Sequence, residues 1–220
     1  VYFLKDHLTA GRILRRFNDS IVFINIDEGL SEPEWERYIR TLMSAQATSS
    51  VKVGILTYNE DPDLAEKYLM DLMVPCGFTR LKLGVAESTR IILTSLHANE
   101  AKGRRKFVRA SPRGSGRATF NVKFGDTTLN GHVWDISVAG MAVTFETDID
   151  LEIKTVLQDM QLKLWGTLVR VHGVVTATRR EGGGYLVMFG NRLSKEARGK
   201  IHAFVHRWLQ HEMDEIVARM

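Results

Sequence analysis

The sequence predicts a two-domain α+β chain: a small N-terminal α/β sheet domain over residues 1–99, a basic linker over 100–117, and over 118–220 a six-stranded antiparallel β-barrel with a long C-terminal helix. Three observations carry this reading. The hydrophobic period changes from a mixture of buried runs and 3.6-residue spacing in the first hundred residues to alternation with a period of two beyond Ala118. Between these regions lies a stretch rich in Lys, Arg, Gly, Ser and Pro, and the chain closes on an apolar stripe at helical spacing. With 220 residues, 44% of them apolar, the chain can fill two modest cores, and a charged fraction of 25% excludes a disordered chain.

In the first region, Ile21–Ile26 reads as a buried strand, Glu32–Ala47 as a helix capped by Ser31, and Val51–Thr57 as a second buried strand. Asp61–Met73 follows as a helix opened by Pro62, whose fixed φ and missing N–H suit a first turn. Arg80–Leu83 is a short strand candidate and Glu87–Asn99 a further helix. Strand and helix in turn imply a small parallel sheet covered by helices.

From Ala101 to Arg117 the chain carries seven basic residues and no acidic one, so its mild net charge of +4 is concentrated locally. Ser111–Gly116 is too polar and glycine-rich to be expected to pack, which makes 100–117 the interdomain linker. Six period-two strands follow: Ala118–Phe124, Gly131–Ser137, Met141–Glu146, Asp159–Leu164, Thr167–Thr178 and Tyr185–Phe189. With no helix between them they imply a small antiparallel barrel. Gly125-Asp126 and Gly182–Gly184 fall where hairpins need positive φ. The last helix spans Lys195–Ala218 behind an N-cap at Ser194, and its stripe (Ile201, Phe204, Val205, Trp208, Leu209, Met213, Ile216, Val217, Met220) is expected to cover a core of the chain itself rather than a partner.

Arg105-Lys106-Phe107-Val108-Arg109 sits in the basic stretch, and about thirty residues later comes Asp135-Ile136-Ser137-Val138-Ala139-Gly140. Guanidinium forks suit phosphate oxygens and the O6/N7 edge of guanine, while a carboxylate and a hydroxyl serve the remaining polar groups. In this order and spacing the two motifs resemble the signature of the PilZ domain, a bacterial receptor for cyclic di-GMP, over roughly residues 100–220. The resemblance implies that Arg105 and Arg109 grip guanine edges and phosphates, with Arg104 as a third fork. It also implies that Asp135 and Ser137 meet the ligand's polar groups and that Gly140 permits close approach. The residues ahead of the linker look similar to α/β segments that precede PilZ domains in spirochaete proteins. Arg104 occupies the position thought to influence whether one or two nucleotides bind, and its identity alone gives no stoichiometry.

The same residues admit other readings. A nucleic-acid strip would interleave aromatic residues with its cations, whereas this stretch has only Phe107 and faces an acid at Asp135, so no DNA or RNA partner is expected. His202, His206 and His211 lack a converging third ligand, so neither a metal nor another cofactor is expected. Asp27 and Glu28 after the first strand and Asn59 after the second echo a phosphoacceptor site, but Asn59 stands nearest the acceptor place and the first domain reads as a non-phosphorylated sheet. No catalytic constellation is present, which excludes an enzyme as the working reading. The lone Cys76 and the lack of a long apolar run favour a cytoplasmic protein without membrane insertion, monomeric or homodimeric. Val1 in place of Met leaves room for an upstream segment. The expected function is that of a cyclic di-GMP receptor in which ligand orders the linker, reorients the domains and acts on a downstream protein in motility or adhesion. The alternative is a nucleotide-independent adaptor of the same fold.

Overall fold

A computed structural model describes residues 2–99, 107–179, 184–190 and 193–220. The chain divides into two compact units, Phe3–Arg104 and Arg105–Arg219.

The first unit contains α1 (His7–Arg16), β1 (Ile21–Asn25), α2 (Glu32–Ser44), β2 (Lys52–Thr57), α3 (Pro62–Glu66), β3 (Phe78–Arg80) and α4 (Val85–Ala98). The strands form a parallel sheet in the order β1-β2-β3. Because β2 is central, Val53 and Ile55 are fully buried, and the core adds Trp35, Ile39 and Leu42 from α2. β1 is an edge strand and half-buried along most of its length, a correction to its reading as a buried strand.

Three further expectations are corrected. The sequence reading missed α1, whose start is fixed by Asp6: its Oδ1 accepts the Thr9 N–H at 2.7 Å. The single helix expected over Asp61–Met73 is an α-helical turn at Pro62–Glu66 that passes into a π-turn at Lys67–Asp71. The phase change accompanies complete burial of Tyr68, whose hydroxyl donates to Glu32 Oε1 at 3.2 Å. The third strand ends at Arg80 because its pairing with β2 runs out at Thr57, and Leu81–Leu83 turns over as a 3-10 helix.

The second unit contains β4 (Ala118–Phe124), β5 (Thr127–Ser137), β6 (Gly140–Phe145), β7 (Val156–Leu164), β8 (Thr167–Arg179), β9 (Gly184–Met188) and α5 (Lys195–Ala218). The strands close into an antiparallel barrel of order β4-β5-β6-β9-β8-β7, with β4 pairing β7 to complete the ring. Closure removes exposed sheet edges, which is how a small sheet of this kind avoids edge pairing. Gly125, at φ 60, opens the two-residue β4–β5 hairpin as a type II′ turn requires. Gly182 and Gly183 lie outside the described residues. The α5 helix starts at Ser194, whose Oγ accepts the Ala197 N–H at 3.1 Å. Its buried residues Ala197, Ile201, Phe204, Val205 and Trp208 belong to the barrel core and Leu209 packs against it, so the first half of the stripe covers the barrel, while Met213, Ile216, Val217 and Met220 lie beyond that core. Among the described residues, no helix is long and apolar enough to cross a membrane.

Candidate functional site

The site is built on β5 and on the segment that leads into the barrel. Ala110 pairs with Ile136 as an isolated antiparallel bridge, its N–H donating to Ile136 O at 3.0 Å and its carbonyl accepting the Ile136 N–H at 2.9 Å. Both side chains are fully buried, so the bridge is fastened by packing as well as by hydrogen bonds. Pro112 is also buried, and the Ser111–Gly116 stretch folds as a turn: Ser115 N–H donates to Pro112 O at 3.1 Å, with Gly114 at φ 73 in the third position. The expectation that this stretch is too polar to pack is corrected, since a type II turn needs a glycine there and two buried residues anchor its approach.

Within β5 the pairing with β6 shifts between Val133 and Asp135. Val133 and Ile136 both point into the core although two residues, not one, lie between them, so an outward residue has been added. The bulge therefore sets Trp134 and Asp135 side by side on the outer face. Asp135 faces Arg109, with Oδ1 and Nη1 at 3.6 Å, longer than a direct hydrogen bond and with the arginine side chain 40% exposed. This is a loose, partly exposed ion pair. Ser137 is buried: its hydroxyl donates to Gly140 O at 3.4 Å and accepts the Ala139 N–H at 3.2 Å, bracing the β5–β6 turn. Gly140 lies against β9, where a Cβ would meet Val187 O at 2.5 Å. Among the motif residues, then, Arg109 and Asp135 are brought together directly, while Ser137 and Gly140 shape the turn beside them. Arg104 and Arg105 lie outside the described residues.

The sequence reading passed over Trp134 and Arg113. The Arg113 guanidinium carbon lies 4.1 Å from the centroid of the Trp134 ring, well within the range of a cation–π contact. The signal was present in the odd spacing of Val133 and Ile136, which a period-two strand cannot produce without a bulge.

Residues 104–207 match the family model of the PilZ domain. The barrel unit is a PilZ domain. Its closed six-stranded barrel, leading bridge and trailing helix are the framework on which the two motifs of the family stand in this chain. Among solved structures, the PilZ domain of YcgR from Escherichia coli with c-di-GMP is 15% identical, with a TM-score of 0.44, the match covering 52% of this chain and 98% of that one. YcgR from Escherichia coli in complex with c-di-GMP is 17% identical over 53% of this chain and 50% of that one, with a TM-score of 0.43. The K. pneumonia MrkH–c-di-GMP complex is 16% identical over 52% and 56%, with a TM-score of 0.44. The match thus spans about half the length of the YcgR and MrkH chains. No curated protein matches the chain.

Of the other residues singled out in the sequence, Asp27, Asn59 and His211 have structural partners. Asp27 accepts hydrogen bonds from the Thr57 hydroxyl and, at 2.8 Å, from the Tyr58 N–H, which ties the end of β1 to the end of β2. Asn59 Oδ1 accepts the Asp61 N–H at 3.0 Å ahead of α3. His211 lies 2.8 Å from Arg117 and 3.4 Å from Glu215. Among the described residues, no group of His, Cys, Asp and Glu is arranged to hold a metal ion.

Proposed function

We propose that the PilZ domain binds cyclic di-GMP. The observation that carries this reading is the meeting of Arg109 and Asp135, 3.6 Å apart at the β5 bulge, with Arg109 next to the Ala110–Ile136 bridge. A guanidinium beside a carboxylate suits a guanine: the fork takes phosphate oxygens or the O6/N7 edge, and the carboxylate takes a ring N–H or exocyclic amine. Arg104 and Arg105 add two forks from the chain immediately before it. Ser137 and Gly140 serve the ligand by fixing the turn beside Asp135. The chain acts as a binding effector rather than an enzyme.

In this reading nucleotide binding commits the segment leading into the barrel to one arrangement, and the change between the two units is read by a downstream protein in a motility or adhesion response. Ligand-dependent thermal unfolding tests the binding: the midpoint rises with cyclic di-GMP and not with GMP or GTP. An unchanged midpoint at saturating concentrations of all three overturns the assignment. Small-angle scattering tests the second step, and superimposable profiles with and without ligand overturn the reorientation while leaving binding intact.

A further inference from the structure

We propose that Trp134 and Arg113 form an additional base-binding element, in which the Trp134 indole stacks on a purine ring of the nucleotide whose phosphate Arg109 holds. The inference rests on the cyclic di-GMP reading and extends the site to two residues outside the motif. Four features of the chain converge on it. The β5 bulge sets Trp134 next to Asp135 on the outer face, so a ligand at Asp135 reaches the indole without crossing a strand. The Pro112–Ser115 turn carries Arg113 in its second position and lays the guanidinium over the ring at 4.1 Å. Gly114 and Gly116 leave the turn open, with nothing within 4 Å of where their Cβ atoms would stand. A hollow of about 400 Å³ results, lined by Arg113, Gly114, His132, Trp134 and Thr144 among others; among the described residues no carboxylate lines it, although Glu146 lies 3.3 Å from His132 Nε2.

The chemistry of this hollow is that of base recognition. An indole gives a π-face that any purine can stack on, and a guanidinium gives both a second stacking plane and a fork for O6 and N7. His132 and Thr144, paired across β5 and β6, place an imidazole and a hydroxyl at the rim. A contact that served only to pin the turn would be satisfied by the stack itself and would need no hollow beside it.

The test uses the full chain and cyclic di-GMP. With 5-fluorotryptophan incorporated, the four tryptophans give four fluorine resonances, and Trp134→Phe identifies the one from Trp134. The expected result is a shift of that resonance on saturation. Trp134→Ala is expected to weaken binding about tenfold, within the range for one stacked base, while Trp134→Phe stays within about threefold. A Trp134 resonance that does not move at saturation, or Trp134→Ala binding like the wild type, overturns this inference alone. A wild-type chain that binds no cyclic di-GMP overturns both this inference and the reading beneath it. Because the shift is read in the wild-type sequence and assigned with the conservative Trp134→Phe, a Trp134→Ala variant that fails to fold leaves the decision intact.

Discussion

Ala110 and Ile136 exchange two backbone hydrogen bonds, at 3.0 and 2.9 Å, one residue beyond Arg109 on one side and one residue beyond Asp135 on the other. The bridge therefore sets the register between the two motif halves. Proline at 110 removes the donor and cannot occupy a fully buried, paired position. Ala110→Pro is expected to weaken nucleotide binding at least tenfold while the barrel keeps its far-ultraviolet circular dichroism. Equal affinity in the variant would show that the bridge does not position Arg109.

The β5–β6 pair tolerates no side chain at Gly131, where a Cβ would stand 2.3 Å from Thr144 O and 2.4 Å from the Phe120 ring. The backbone oxygen cannot yield as a flexible side chain would. Gly131→Ala is expected to lower barrel stability by about 3 kcal/mol, the upper range for an overpacked core, measured by urea denaturation.

Tyr185 ties the segment after β6 to the barrel, its hydroxyl donating to Ile149 O at 2.5 Å and accepting the Leu151 N–H at 3.2 Å. Tyr185→Phe leaves two buried backbone groups without this partner and is expected to cost about 1–3 kcal/mol. A change within about 0.3 kcal/mol, well below the cost of one lost buried bond, would count against the assignment.

In the first unit Lys67 Nζ sits 2.5 Å from Glu36 and 3.1 Å from Glu32. The Lys67 ammonium, followed by Arg40, holds the Glu36 carboxyl below its ordinary range, and Glu36 in turn raises Lys67. The signs follow from linkage. Stability from Glu36 is present above its unfolded pKa and is lost as pH falls through its lower folded value, while that from Lys67 is present below its unfolded pKa and is lost as pH rises through its higher folded value. Both charges are partly exposed, so the contribution at neutral pH is at most about 1 kcal/mol. The Trp35 indole N–H, bonded to Glu28 O at 3.0 Å, reports the unit by NMR in a urea series. The difference between wild type and Lys67→Met is expected to be present at pH 7 and to shrink toward pH 3.

How much of this was legible varies with the kind of information each element needs. The α5 helix was readable to its ends because both signals are local: Ser194 caps its start, and helical apolar spacing continues to Val217, one residue short of its end. The barrel followed from period-two alternation. The Trp134 position was not read because the odd spacing of Val133 and Ile136 points to a bulge only once both are known to face the core, and the Val133–Val143 and Asp135–Ala142 pairings then place it. The π-turn at Lys67–Asp71 likewise depends on where Tyr68 finds its cavity, a property of the assembled core rather than of the segment. The meeting of Arg109 and Asp135 was legible as a motif, but the bridge that enforces it involves Ala110, a residue with no chemical signature.

Isothermal titration of the full chain with cyclic di-GMP measures nucleotide binding at Arg109 and Asp135 directly. Saturable heat is expected for the wild type, with affinity reduced at least tenfold, about 1.4 kcal/mol, in Arg105→Ala and in Arg109→Ala. A folded wild-type chain that gives no saturable heat at tens of micromolar ligand would contradict the account, and unchanged affinity in both variants would contradict its assignment of the site.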